Sequence, residues 1–193
     1  CPAGSSHIGY PSNGVLAGVW YDNSTAAPAS ATGNQIAKEA IKAAAHFGNT
    51  TPASNRYAQY FIMSPTGTNP DKWKTQGFCA WHDYNGDTTL SGGAAPSPYG
   101  DIAFTNMPYV ADQGASCGAG SVPSNAADSA IQGFSIVGGH EYAETITDQN
   151  PAGGWLNPST GDENADICAW ISAGQGATAL VAMSTGSFAM QST

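Results

Sequence analysis

The chain has 193 residues, with five Lys and Arg against fourteen Asp and Glu, a formal net charge of -9 and a pI of about 4.4. That length supports one sizeable core and is short for two ordinary domains. A chain so acidic excludes nucleic acid and anionic membrane as expected partners, because neutralising phosphates takes clustered Lys and Arg.

Charged residues make up 10% of the sequence, against roughly 25% in an average soluble protein, so Gly, Ser, Thr and Asn must fill much of the surface. Cys1, Cys79, Cys117 and Cys168 are even in number, far apart and free of any C-x-x-C pair. They read as two disulfides formed in an oxidising compartment, with the connectivity open. No segment approaches the roughly 20 apolar residues of a membrane span. A secreted, monomeric protein in mature form, trimmed of a signal and a propeptide, is the expectation.

The first predicted element is a buried strand over residues 15–21, an apolar run between Asn13-Gly14 and Asp22-Asn23. A helix follows, capped by Thr32 or Asn34, with Ile36, Ala40, Ala44 and Phe47 at helical spacing and Gly48-Asn49 as its stop. His46, in its last turn, suits the helix C-terminus and carries a structural role. Residues 57–63, 78–82 and 102–107 are rich in aromatic and aliphatic side chains between Gly, Pro, Asn and Asp clusters, and read as strands. Between the last two, Asp83, Asn85 and Asp87 alternate around Gly86 as in a calcium loop, although Ala94 stands where an EF-hand needs glutamate. A structural calcium ion is the only use for them beyond solvated turns.

Residues 125–147 form the second main helix, capped by Ser124 or Asn125, with a broad apolar stripe from Ala130 to Ile146. Gly138-Gly139 within it costs on the order of 1 kcal/mol per glycine, which a close backbone approach beside His140 would explain. A short helix over 163–170 and a hairpin of 177–183 and 188–190 around Thr185-Gly186 close the chain. The expected fold is α+β: a small mixed sheet packed on two main helices, within one domain over 1–193. Its sheet and helix lobe spans about 1–148 and a loop-rich lobe about 149–193.

The second helix carries His140-Glu141-Tyr142-Ala143-Glu144. Residues four apart on a helix share a face, so His140 and Glu144 reach one cation, and Glu141 can touch a water beside it without ligating. This is the logic of H-E-x-x-H with a carboxylate in place of the second imidazole. Oxygen and nitrogen donors at about 2.0 to 2.2 Å suit zinc, and the exchange makes manganese or iron more acceptable. A third ligand is offered by Asp148, Asp162, Glu163 or Asp166 downstream and His82 upstream. Asp166 is favoured because Cys168 would anchor its backbone, with Glu163 then orienting the site, or the reverse. His82 and Tyr142 are candidates to hold substrate or its oxyanion, with Tyr99 and Tyr109 eligible as well.

The run 140–148, with Gly154-Trp155 and Glu163-Asn164-Ala165-Asp166-Ile167-Cys168, resembles a group of secreted microbial HExxE zinc metallopeptidases. More distantly, Cys79-Ala80-Trp81-His82 and the same C-terminal block are similar to phosphate-induced, exordium-like extracellular proteins. The first resemblance implies one zinc ion per chain, Glu141 as general base and a protein or peptide substrate. The order of elements is similar to a zincin lobe, implying that an edge strand, here 102–107, pairs with the substrate backbone. Two other readings stand beside it: a cell-wall or carbohydrate-binding module using its Trp and Tyr, and a metal-free acid peptidase in which Glu141 and Glu144 share a proton.

Overall fold

The computed structural model describes residues 14–122, 128–151, 153–169 and 178–191. Helix α1 (Gly33–His46) starts where Thr32 and Gln35 form a reciprocal capping box, satisfying two otherwise orphaned amide groups. Its Ile36, Ala37, Ala40 and Ala44 are buried as the spacing requires, while Phe47 stays partly exposed. His46 stacks on Trp20 with ring centroids 4.3 Å apart, so it has a packing partner of its own. A short helix α2 (Pro52–Asn55) leads into strand β1 (Gln59–Met63), and another, α3 (Trp73–Gln76), precedes β2 (Trp81–Tyr84) and β3 (Ala103–Met107). The long helix α4 (Gln132–Thr147) follows, and strands β4 (Thr178–Met183) and β5 (Gly186–Gln191) form a separate antiparallel hairpin.

The three-stranded sheet has the order β1-β3-β2, with β1 parallel and β2 antiparallel to β3. The molecule is therefore a small mixed sheet with a long helix, of α+β class. Strand alternation divides the side chains between two helices. Tyr60, Ile62, Trp81 and Phe104 pack with α1, whereas Met107 packs with Val137 of α4. His82, one residue beyond Trp81, is thereby turned toward α4. Gln59 locks the register of that helix by donating to Thr105 Oγ1 at 2.7 Å and to Thr145 Oγ1 at 2.8 Å.

Several expectations are corrected. Residues 15–21 form no strand; Val15, Leu16, Val19 and Tyr21 are exposed, and within the run Trp20 is the side chain that packs on the α1 core. The strand expected over 78–82 begins at Trp81, because Cys79 is tied to Cys117 just before it. The segment 102–107 is the centre of the sheet rather than its edge, and every residue of β3 is buried. The true edge beside α4 is β2. Helix α4 begins at Gln132, after a single 3-10 turn at Ser129–Ile131, and the expected caps Ser124 and Asn125 lie outside the described residues. A 3-10 turn at Asp166–Cys168 replaces the helix expected over 163–170. Finally, the close backbone approach on α4 is at Gly133, where a Cβ would lie 2.0 Å from the Cys117 carbonyl oxygen, and not at Gly138 or Gly139.

Cys79 and Cys117 form a disulfide with Cα atoms 5.5 Å apart. Cys1 and the side chain of Cys168 lie outside what is described, and the second expected disulfide falls there. No helix among the described residues is long and apolar enough to cross a membrane.

Candidate metal centre

Three elements bring the candidate residues together. Helix α4 presents His140, Glu141 and Glu144; β2 presents His82; and the turn before Asp166–Cys168 brings Glu163 and Asp166 over them. That turn is pinned on both flanks. Asn164 donates from Nδ2 to the Ala143 carbonyl of α4 at 3.1 Å, and Gln191 of β5 donates from Nε2 to the Ala165 carbonyl at 2.8 Å. Asp166 Oδ2 accepts the Glu163 N–H at 3.1 Å, holding the two acids in a fixed relation.

His140 Nε2 lies 3.1 Å from Glu144 Oε1 and 3.3 Å from Asp166 Oδ1. His82 Nε2 lies 3.1 Å from both Glu163 oxygens and 3.7 Å from Glu144 Oε2. Glu144 thus stands between two imidazoles. The 3.1 Å approach of His140 lacks hydrogen-bond alignment, so Glu144 Oε1 is a buried acceptor without a partner. Glu141 Oε2 is another, on a residue only 4% exposed. Leaving such groups unpaired costs about 1–3 kcal/mol each, and more when they are charged. No Lys or Arg among the described residues pairs with them; Lys42 pairs with Asp22 and Glu39, and Lys74 with Asp112.

The charge state reflects this crowding. Burial pushes the Glu141 carboxyl up to about 8, with His140 opposing and Glu144 reinforcing the rise. Burial also raises Glu144, against the pull of His140. Burial alone would lower His140, but Glu144, then Glu141 and Gln191, outweigh it and lift its imidazole to about 9. His82 is raised too: burial opposes its charge, and Glu163 ahead of Glu141 and Glu144 overcomes that opposition. Asp148, at the C-cap of α4 and 1% exposed, is raised by burial and then by Glu163.

A divalent ion fits the donors. Two groups of side chains offer ligand atoms mutually within 4.8 Å: His82, Glu144 and Glu163, and His140, Glu141 and Glu144. Gln191 Oε1 lies 3.1 Å from His140 Nδ1. Its amide is oriented by the bond to Ala165, so Nδ1–H donates to it, and Nε2, which faces Glu144, is the ring atom that a metal would take after its proton leaves. This is the support that metal-bound histidines commonly have. No protein-family model, curated protein or solved structure matches the chain.

The remaining candidates fall elsewhere. Tyr142 is half-buried on α4 and makes no hydrogen bond to the cluster. Tyr99 packs beside the α1 core and Tyr109 stands edge-on to Phe134, centroids 5.2 Å apart. In the expected calcium loop, Asn85 donates to the Ala95 carbonyl and accepts from the Ile102 N–H, and Asp87 accepts from the Thr89 N–H. Those bonds shape the loop, and neither group of converging ligands includes it. Gln191 is the participant that the sequence did not reveal. An amide on a strand carries no periodic signal, and its partner is 51 residues away.

Proposed function

We propose that the chain is a metal-dependent hydrolase of peptide bonds, secreted and zincin-like in plan, with zinc as its ion. The observation that carries this reading is Glu141: a carboxylate 4% exposed, with Oε2 unpartnered, beside His140 and Glu144 on one helical turn. The ion would be held by His140 and Glu144 of α4 with His82, Glu163 or Asp166 arriving from outside the helix. When bound, it supplies Lewis acidity for a scissile carbonyl and lowers the pKa of an attacking water.

The chain's own residues account for the rest. Glu141 takes a proton from the attacking water and returns it to the leaving nitrogen, and its buried setting raises its affinity for that proton. Gln191 keeps the His140 ring in one tautomer. Strand β2 forms the open edge of the sheet next to α4. The alternation of an antiparallel ladder turns the His82 N–H and C=O to that edge, where an extended peptide backbone can pair with them. The Cys79–Cys117 disulfide suits an extracellular setting.

A sugar-binding module gains little from three of the five Trp, since Trp73 is buried, Trp81 packs on Phe104 and Trp20 stacks on His46, while Trp155, Tyr57 and Tyr21 are exposed. The deciding experiment is Glu141→Gln, assayed for protein cleavage alongside metal content. Its expected result is retained metal with turnover lowered by about 10³-fold or more, as befits loss of a general base together with its charge. Cleavage at the parental rate would refute the assignment. Activity that survives exhaustive chelation would point instead to carboxyl catalysis without metal.

A further inference from the structure

Resting on the metal-site reading above, we propose that the centre holds two divalent cations bridged by the Glu144 carboxylate. The five ligating groups of the two clusters do not converge on one point. Their two clusters share Glu144 alone, and the two imidazoles fall in different clusters. Donors bound to a single ion at about 2.0–2.2 Å cannot lie more than about 4.4 Å apart. One ion therefore cannot take both histidines together with Glu144 as these side chains stand.

The oxygens of Glu144 face opposite ways. Oε1 is 3.1 Å from His140 Nε2, and Oε2 is 3.7 Å from His82 Nε2. Each imidazole also has a carboxylate of its own, Glu163 at 3.1 Å from His82 and Asp166 at 3.3 Å from His140. These spacings match the roughly 3.3–3.6 Å between neighbouring donors on a tetrahedral ion. The result is two half-sites that share Glu144, one completed by His82 and Glu163 and the other by His140 and Glu141, with Asp166 standing beside His140 at the rim of the second. Each keeps an open position. A carboxylate used in this way suits paired ions about 3.5–4 Å apart.

Charge supports the same count. Glu141, Glu144, Glu163 and Asp166 place four carboxylates in the cluster, and Asp148 is buried next to them. Once metal displaces the protons these acids hold, and with neutral imidazoles, one divalent ion would leave an excess of three negative charges that no Lys or Arg among the described residues pairs with, whereas two would leave one. Glu141, Glu144 and Asp148 are buried, and uncompensated buried charge is the costlier state.

The test is metal stoichiometry. The full chain, stripped with dipicolinate, is titrated with Zn²⁺ by calorimetry and checked by elemental analysis after gel filtration. Two equivalents are expected for the parent and one each for His82→Ala and His140→Ala. Saturation of the parent at one equivalent overturns the paired site and leaves the metal-hydrolase reading standing, while no uptake removes both. If both variants still bind two ions, the second ion is adventitious and the proposal fails. Mn²⁺ spectra of the parent decide the matter without variants. At two equivalents, electron paramagnetic resonance should give an exchange-coupled signal, and isolated six-line spectra would overturn the bridge.

Discussion

Gln191 is the side chain on which the His140 environment turns. It accepts from the imidazole through Oε1 and ties down the acid-bearing turn through Nε2. Gln191→Leu keeps the approximate volume and removes both bonds. Zinc affinity should drop by about 10–100-fold, the usual effect of losing such a support, with the far-ultraviolet dichroism unchanged; competition against a chromophoric chelator would measure it. Asp83 makes a different point, about stability. Burial lifts its carboxyl to about 6, against the Tyr84 N–H that it accepts, with Asp87 adding to the rise. The folded state then holds this proton more tightly than the unfolded state does. Stability should fall as pH rises from about 4 to 6, and the penalty should be complete above that window. Asp83→Asn should raise the melting temperature at about pH 7.5 and leave it unchanged near pH 3.5, as scanning calorimetry at the two values would show. Of these residues, His140, Glu141 and Glu144 were legible because helical geometry converts sequence spacing into spatial proximity. His82, Glu163 and Asp166 were legible as candidates only, since their convergence depends on where a strand and a turn come to rest.

At the scale of elements, helix α4 and the segment before it meet more closely than side chains allow. A methyl group at Gly133 would sit 2.0 Å from the Cys117 carbonyl oxygen, a backbone atom itself held by the disulfide. Gly133→Ala should therefore destabilise the protein by about 3 kcal/mol or more, the upper range for overpacking. Gly139→Ala would meet only the flexible Met190 Cε at 3.4 Å. It should be neutral or stabilising by up to about 1 kcal/mol through helix propensity. Chemical denaturation of the two variants would separate them. The sequence exposed α1 and α4 through their length, apolar stripes and, for α1, its cap. It did not expose strand order: a five-residue apolar run reads alike at the edge and at the centre of a sheet, and β3 was misplaced for that reason. The run at 15–21 misled similarly, because apolar character alone does not supply a partner strand.

For the whole molecule, a three-stranded sheet between two helices makes a modest core, to which a disulfide cross-link adds stability. The Cys79–Cys117 bond spans 38 residues and contains β2 and β3, so it fastens the sheet to the segment that abuts α4. Chain-entropy reasoning puts its contribution at about 4 kcal/mol. Reduction, or the double change Cys79→Ser with Cys117→Ser, should lower the urea midpoint accordingly. A wild-type midpoint in the reduced protein would refute that role. A bound ion would act similarly, because its ligands are drawn from β2, α4 and the turn beyond it; such binding energy becomes folding energy. The α+β class was legible from the alternation of short apolar runs and long stripes. The docking of the β4–β5 hairpin on α4 was not, since hairpin turn signals carry no information about what the strands will pack against.

That docking has a consequence for synthesis. Ser135 donates to the Ala189 carbonyl and Gln191 reaches both His140 and Ala165, so the final strand latches the turn that carries the acids. During translation the sheet and α4 emerge first, and the latch cannot close until residue 191 has left the ribosome. A nascent chain thus cannot finish gathering the cluster before that point, and a protease that nicks the tip at Thr185 would loosen the same catch in the finished molecule.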